Sequence, residues 1–179
     1  MAQIALSGLP SDASPAVRAA LWAVAARSHA RLGDEPGCTV ALRTAETNLA
    51  SSVAGTEPEW ITYLTPAYLA DEVAHCMFDL GRHDTARREV RRAVNGVGAA
   101  RVRRLAIDTA LLASSLAAVG RVDESCAHGR EAVDFAARTQ SARAVQRVAQ
   151  VRADLIPYDD VRAVRELVDY IHATLPAAL

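Results

Sequence analysis

The sequence predicts an all-α protein built from paired helices, and three observations carry this prediction. Hydrophobic residues make up 51% of the 179 positions but aromatic residues only 4%, so small side chains must fill most of the core. Three phrases, LGDEPGCTVAL, LGRHDTARREV and VGRVDESCAHG, place glycine and small residues at the same spacings. Near the end of the chain, Val161, Val164, Leu167, Val168 and Ile171 recur at helical intervals. Small residues at fixed spacing favour helices that pack closely against each other.

The three phrases align on Gly33, Gly81 and Gly120. Small residues stand seven positions before, five after and twelve after each glycine: Ala26, Ala74 and Ala113, then Cys38, Ala86 and Ser125, then Ala45, Ala93 and Ala132. A glycine ends a helix at low cost because it adopts the left-handed conformation without a clash. The polar link that follows starts a second helix, and Asp84 and Asp123 suit the N-terminal end of such a helix.

This register defines the helices that we expect. They cover 15–33, 36–52, 64–81, 84–95, 99–120 and 123–138, with two further helices at 141–155 and 159–174. Pro157 separates the last two helices, and Asp159 or Asp160 is expected to cap the final one. The final helix carries an apolar stripe of Val161, Val164, Leu167, Val168 and Ile171. Such a stripe is typical of a helix that closes a helical array.

These helix-turn-helix units resemble the tetratricopeptide repeat (TPR), a unit of about 34 residues with glycine and small residues at characteristic positions. The resemblance covers roughly residues 14–138 and implies a TPR-like α-solenoid of antiparallel helix pairs. The chain, residues 1–179, is then expected to form one domain, with repeats near 15–52, 64–95 and 99–138 and closing helices at 141–174. The sequence departs from the pattern at Gly129, where the earlier repeats carry Leu42 and Val90.

Two longer segments carry a second resemblance: EPEWITYLTPAYLADEVAHCMFDLGRHDTARREVRRAV and AAVGRVDESCAHGREAVDFAARTQSARAVQRVAQVRADLIPY. They resemble the C-terminal sensor half of actinobacterial Xre-type transcriptional regulators, in which a helix-turn-helix precedes a TPR-like domain. The matching pieces include Trp60 before a Tyr-containing helix and SAR at 141–143. About a dozen residues precede Ser14, so we expect no DNA-reading helix pair and no direct DNA binding by this chain. The resemblance implies a sensor whose DNA-binding head has been removed or lost.

Composition and cysteine usage argue against several classes of protein. The formal net charge is −1, which argues against a surface devoted to nucleic acid or acidic membranes. Three cysteines without a C-x-x-C pair indicate neither a disulfide framework nor a zinc site. The N-terminus lacks the pattern of a signal peptide, and no apolar run approaches the ~18 residues of a membrane span. We therefore expect a cytoplasmic protein that needs no cofactor or metal.

We expect function to lie in a concave groove formed by the first helix of each repeat. The candidate ligand- or partner-binding residues are Arg27, Arg31, Trp60, Tyr68, Asp71, His75, Phe78, Asp79 and Arg147, with Ile107, Ala110 and Ser114 as the floor. Arg27 and Arg31 stand one helical turn apart, so both guanidinium groups can reach one anion. The carboxylates are expected to face them across the next repeat. Such a groove suits a peptide, a zwitterionic small molecule or a segment of a partner protein.

Metal binding and catalysis have weaker support. Glu72, His75 and Asp79 can share one helix face as metal ligands, but a single histidine without a second cluster favours a structural role. Asp71 and Asp79 can act as paired carboxylates, yet no nucleophile, phosphate-loop or metalloprotease motif accompanies them, so we expect no enzyme. The remaining candidate is a basic run of Arg87, Arg88, Arg91, Arg92, Arg101, Arg103 and Arg104. We expect this run to be a solvated outer face paired with carboxylates of neighbouring repeats rather than a phosphate-binding patch.

The leading prediction is a non-catalytic sensor domain of a transcriptional regulator, which binds a ligand or partner in the groove. One alternative is a stand-alone TPR scaffold that binds a helix or tail of a partner protein there. The other is a small-molecule enzyme recruited onto the repeat fold. We expect no membrane contact, and a homodimer is compatible with the sequence.

Overall fold

A computed structural model of the chain describes residues 7–10, 12–53 and 55–175. These residues form eight complete α-helices and contain no β-strand, which confirms the all-α prediction. The helices are α1 Pro15–Arg31, α2 Glu35–Ala50, α3 Pro66–Asp79, α4 His83–Gly96, α5 Val102–Ala118, α6 Val122–Ala137, α7 Ala142–Asp154 and α8 Arg162–Thr174. Short 3₁₀-helices occupy Glu59–Ile61 and Ile156–Tyr158. None of the helices in the described ranges is both long and apolar enough to cross a membrane.

Side-chain caps set where four of these helices begin, and one of them is Ser141, whose hydroxyl accepts from the Ala144 N–H at the start of α7. Ser14 and Thr65 stand at the N-caps of α1 and α3, where each hydroxyl accepts a hydrogen bond from a backbone N–H three residues later. Asp34 caps α2 in the same way, because its carboxylate accepts from the Gly37 N–H at 2.9 Å. These caps satisfy backbone donors that have no partner inside the helix.

The expected cap of the final helix is wrong. Val161, and neither Asp159 nor Asp160, stands at the N-cap of α8. The backbone carbonyl of Asp160 accepts a hydrogen bond from Arg165 Nη1 at 2.7 Å instead. The 3₁₀-helix that contains Pro157 continues the chain past the end of α7, so α8 begins three residues later than the sequence predicts.

The three aligned glycines end α1, α3 and α5 in one conformation. The φ angle is 73° at Gly33 and Gly81 and 74° at Gly120, in the left-handed region. In each case the glycine N–H donates to the carbonyl three residues back, and the next N–H donates to the carbonyl five residues back, at 2.8–3.0 Å. This is the Schellman pattern of helix termination. The predicted role of these glycines is confirmed.

The small residues aligned with these glycines are fully buried. They are Ala26, Cys38, Ala45, Ala74, Ala86, Ala93, Ala113, Ser125 and Ala132. Ser125 on α6 donates a hydrogen bond from Oγ to the carbonyl of Ala113 on α5 at 2.8 Å. This bond joins the residue five positions after Gly120 to the residue seven positions before it, so the register marks a direct contact between paired helices.

The chain divides into two compact units, one ending at Arg82 and the other beginning at His83. The boundary falls inside the predicted repeat 64–95, between α3 and α4, and the one-domain organisation stays a prediction. In the first unit α1 packs against both α2 and α3. Its core joins mostly small residues of these three helices, together with Leu42: Ala25, Ala26, Ala30, Cys38, Ala41 and Cys76.

The second unit is organised around α5. This helix packs against α4, α6 and α7, and every residue from Leu105 to Ala117 is buried. The closing helix α8 packs against α6. Its residues Val164, Leu167 and Ile171 belong to the buried core, while Val161 and Val168 pack at the edge of that core, so the predicted stripe is confirmed.

The departure from the repeat pattern at Gly129 has a structural reason. A Cβ atom added to Gly129 would lie 2.8 Å from Cδ2 of Leu167 and 3.5 Å from Cγ1 of Val151. Leu167 comes from α8 and is buried. In the first pair, Leu42 of α2 provides the large side chain at this position. In the second pair, Leu167 of the closing helix provides it beside Gly129 of α6.

Candidate ligand-binding site

Four charged side chains of the first unit meet between α1 and α3. Arg27 Nη1 lies 3.6 Å from Oε2 of Glu72, and Arg27 Nη2 lies 3.8 Å from Oδ2 of Asp79. Arg31 Nε lies 3.8 Å from the same Oδ2 atom. Arg27, Arg31, Glu72 and Asp79 are the α1–α3 charge cluster. Both guanidinium groups thus converge on one carboxylate.

Helical spacing explains this convergence. Arg27 and Arg31 lie one turn apart near the end of α1, and Glu72 and Asp79 lie two turns apart on α3. The Arg31 side chain is 69% exposed, whereas that of Arg27 is 14% exposed. The N···O separations exceed the ~2.7–2.9 Å of a charge-assisted hydrogen bond. Arg31 is therefore the accessible cation of the cluster and is held only by charge.

Asp71 and His75 do not face an open groove, which corrects the prediction. Each is 3% exposed, and His75 Nε2 lies 3.5 Å from Asp71 Oδ1, one turn away on α3. The buried face of α3 is two rows wide, since it includes residues 69–71 and 74–76. The sequence analysis expects Asp71 and His75 on the concave face, but both belong to this buried face.

The predicted floor of the groove is also closed. Ile107, Ala110 and Ser114 are buried. They lie on α5, which three other helices of its unit contact. A helix in that position has no open face for a ligand, so these three residues are core residues.

The predicted aromatic residues lie in different surroundings. Trp60 stands on the 3₁₀-helix Glu59–Ile61 with its side chain largely exposed, next to the buried Ile61. The ring of Tyr68, in the first turn of α3, meets the ring of Tyr63 edge to face at a centroid distance of 4.9 Å. Phe78 is partly buried near the end of α3. Of the predicted site residues, the charge cluster brings together Arg27, Arg31 and Asp79.

The last predicted site residue, Arg147, lies on α7 in the second unit. Its side chain is partly buried. It stays a predicted site residue on the basis of the sequence.

Glu72 belongs to the cluster, although the sequence predicts no ligand-binding role for it. The sequence pattern places Glu72 only with His75 and Asp79, as a candidate metal ligand. The spacing is the signal for Glu72. It stands seven residues before Asp79, and residues seven apart lie on the same face of a helix. Within the described residues, no three His, Cys, Asp or Glu side chains gather as a metal ion would require.

The cysteines of the first unit lie in the core next to this cluster. Cys38 on α2 and Cys76 on α3 are fully buried and belong to the same core cluster. Burial raises the pKa of both thiols above the usual value, so both are protonated at neutral pH. A protonated, inaccessible thiol is a poor nucleophile, and these cysteines serve packing.

The arginine run of α4 and α5 is largely engaged by carboxylates. Arg87 contacts Asp84 at 3.3 Å, Arg92 contacts Glu89 at 3.7 Å, and Arg91 reaches Glu124 on α6 at 3.8 Å. Further along, Arg104 Nε lies 2.9 Å from Oδ1 of the buried Asp108. Three of these four pairs lie within one helix, and Arg91 with Glu124 is the one that joins two helices. The charges are thus paired, but mostly within a helix and not between neighbouring repeats as the sequence predicts.

Comparisons of this chain with protein-family models, curated proteins and solved structures found no match in any of the three. The fold and the site together define an all-helical protein with glycine-capped helices and a partly exposed charge cluster. The resemblance to TPR-containing Xre-type regulators stays a prediction from the quoted residues.

Proposed function

We propose that this protein is a non-catalytic ligand- or partner-binding module, and that the α1–α3 charge cluster is its recognition site. The observation that supports this proposal is the exposed Arg31 beside Asp79, joined by an ionic contact of 3.8 Å. An incoming carboxylate can form a shorter, charge-assisted hydrogen bond to Arg31 than Asp79 does. Charge attraction thus keeps Arg31 beside Asp79, but Arg31 can exchange Asp79 for the carboxylate of a ligand.

The chemistry of the cluster favours a ligand that carries both signs of charge. A carboxylate would bind Arg31, and an amine would take the place of Arg31 beside Asp79, which keeps Arg27 as its other partner. Pairing both ends avoids leaving one charge of the cluster without a partner, which would oppose binding. A short peptide is the simplest molecule with these two groups, and a tail of a partner protein presents the same chemistry.

The finer proposal concerns the context of this module. We propose that the three helix pairs continue as a TPR-like solenoid and serve as the sensor half of an Xre-type regulator. Support comes from the common register of Gly33, Gly81 and Gly120 and from the resemblance of the two quoted segments. A ligand that binds one arrangement of α1 and α3 more tightly would shift the population toward that arrangement. A helix-turn-helix encoded upstream in the same native reading frame would support the regulator.

The recognition site is tested by selecting peptides from a random display library on the immobilised protein, with counter-selection on the Arg31→Ala variant. An enriched peptide is then titrated calorimetrically against Arg31→Ala and Asp79→Ala. Each variant should weaken binding by roughly ten- to a hundredfold, since each removes a charge-assisted contact worth about 1.5–3 kcal/mol.

Arg43→Ala is the matched control, because Arg43 is an exposed arginine on α2 of the same unit outside the cluster. It should bind the peptide like the parent protein. If Arg31→Ala and Asp79→Ala also bind like the parent, or if counter-selection removes no peptide, the cluster is not the recognition site. The stand-alone scaffold is then tested on the outer arginine face of α4.

A further inference from the structure

An amphipathic cavity lies in the second unit between the end of α7, the 3₁₀-helix Ile156–Tyr158 and the first half of α8. Its volume is about 360 Å³, and its apolar lining includes the buried Leu155 and Val164. Ile156 forms part of the same lining, yet its side chain is 65% exposed. A hollow with an apolar floor thus lies directly beside an exposed apolar side chain.

Four charged residues surround this floor. Arg152 and Arg165 carry positive charge, and Asp159 and Asp169 carry negative charge. Within the described part of the chain, Arg152, Asp159 and Asp169 form no ion pair, and Arg165 donates only to a backbone carbonyl, that of Asp160. The rim therefore has two charges of each sign and no net charge.

We propose that a second copy of this chain docks on this surface, which is the Ile156 patch (Arg152, Leu155, Ile156, Asp159, Val164, Arg165, Val168 and Asp169). A two-fold symmetric contact requires one patch to be complementary to itself. The Ile156 patch meets that requirement in shape, because the protruding Ile156 of each copy can enter the hollow of the other. It also meets it in charge, because each arginine can face an aspartate.

The charge pattern favours a second copy over other occupants. A patch of one sign would repel its own copy and would select an oppositely charged partner instead. An apolar centre within a polar rim is the usual arrangement of a protein–protein contact, and a buried side chain at the centre carries much of its binding energy. The proposal does not depend on the α1–α3 charge cluster, which belongs to the other unit.

The test converts the patch into two single-sign versions. Arg152→Glu with Arg165→Glu makes all four rim charges negative, and Asp159→Arg with Asp169→Arg makes all four positive. Analytical ultracentrifugation should show a dimer for the parent protein and a monomer for each variant alone at the same concentration. An equimolar mixture of the two variants should form a heterodimer, because opposite patches then face each other.

Two further variants complete the experiment. Ile156→Glu should raise the dimer dissociation constant by about a hundredfold, since it places a charge in the apolar centre. Arg138→Glu with Arg143→Glu is the matched control for Arg152→Glu with Arg165→Glu. It makes the same change in net charge at exposed arginines outside the patch and should leave the dimer intact. Circular dichroism melting curves identify any variant that fails to fold, and the mixing result stands independently of Ile156→Glu.

A parent protein that is monomeric at high micromolar concentration overturns the proposal. So does a dimer that survives in both single-sign variants, which would place the contact on another face. A mixture that stays monomeric while both variants are folded also contradicts it, and would point to a different partner for the patch.

Discussion

The helix pair α1–α2 and the helix pair α5–α6 share one register but differ in what surrounds them. Both first helices end at a glycine with the same φ angle and the same two backbone hydrogen bonds, at Gly33 and Gly120. In both pairs the aligned small residues are fully buried. However, α5 is buried continuously from Leu105 to Ala117, whereas α1 leaves Val24 and Arg31 exposed.

The difference shows that the register controls only the contact within a pair. In its unit α5 meets helices on several sides, namely α4, α6 and α7, while α1 meets α2 and α3 in its own. The exposed side of α1 is where the accessible arginine of the charge cluster lies. Helix pairs with the same register can therefore differ in burial. The first helix of the pair belongs to the core in the second unit and presents an exposed face in the first unit.

The largest expected effect concerns Leu167 of α8. Its side chain fills the space beside Gly129 of α6, and in the first pair the side chain of Leu42 on α2 fills the equivalent space. Leu167→Ala should cost about 2–5 kcal/mol, because it removes a large buried side chain and leaves a cavity. Gly129→Leu alone should also destabilise, since its Cβ would collide with Leu167. In the double variant the new leucine should fill the cavity and recover part of the loss.

Urea unfolding of the two single variants and the double variant measures this coupling. Leu42→Ala provides the matched control, in which the lost side chain belongs to the pair itself. Additive effects of Gly129→Leu and Leu167→Ala would mean that α8 does not replace the missing side chain of α6.

Overpacking the helix contacts should have the next largest effect. Ala26→Leu and Ala113→Leu should each cost about 1–3 kcal/mol. The cost should be greater at Ala113, because α5 is covered on all sides and cannot shift, whereas α1 has an exposed side. Val24→Leu, on the exposed side of α1, should leave the melting temperature unchanged. Unchanged melting temperatures for both alanine variants would contradict the register.

The pairs also differ in the residue five positions after the glycine, and this difference has a smaller expected effect. Ser125→Ala should cost about 1 kcal/mol, because it removes the hydrogen bond to the Ala113 carbonyl that joins α5 to α6. Cys38→Ala in the first pair removes no such bond to α1. Chemical denaturation of both variants makes the comparison, and a stabilising Ser125→Ala substitution would show that this hydrogen bond contributes nothing.

The smallest effect concerns the start of the second helix in each pair. The Gly37 N–H, and then His29, hold the pKa of Asp34 below its usual 3.8. Because the pKa of Asp34 is lower in the folded than in the unfolded state, its ionised carboxylate stabilises the folded protein above pH 3.8. This stabilisation is lost as the pH falls below 3.8 and through the lowered pKa of the folded state. Melting curves at decreasing pH should show this loss in the parent protein.

The matched control is Asp34→Asn, which keeps a capping oxygen but does not titrate, and it should lack this contribution to the pH dependence. In the second pair the equivalent position is Arg121, whose side chain has no acceptor atom. Arg121→Asp should therefore introduce an acid-dependent loss at α6, smaller than that at α2 because Leu116 stands where the first pair has His29. Identical pH profiles for the parent and Asp34→Asn would show that the cap makes no titratable contribution.

Local chemistry made part of this molecule predictable. Gly33, Gly81 and Gly120 stop helices through their own conformational freedom, so their role follows from sequence without knowledge of the rest of the chain. The paired contact between Ala113 and Ser125 follows from spacing alone. For the same reason, all eight helices were located to within three residues at each end.

The parts that could not be predicted depend on neighbours distant in sequence. Asp71 and His75 occupy positions that a single buried row would leave exposed, and only the packing of α3 makes that row double. Gly129 appeared as a defect in the repeat because its partner, Leu167, lies 38 residues later. Spacing places Glu72 on the same face of α3 as Asp79, but its contact with Arg27 depends on the packing of α3 against α1.

The short glycine-capped links between helices also bear on how fast the chain folds. Because Gly33 and Gly120 turn the chain back within a few residues, the contacts within each of these two pairs join residues that are near each other in sequence. Contacts of this kind close small loops and lose little chain entropy before they form. Proteins dominated by such contacts fold in microseconds to milliseconds. We therefore expect these two pairs to form early, while they are still emerging from the ribosome.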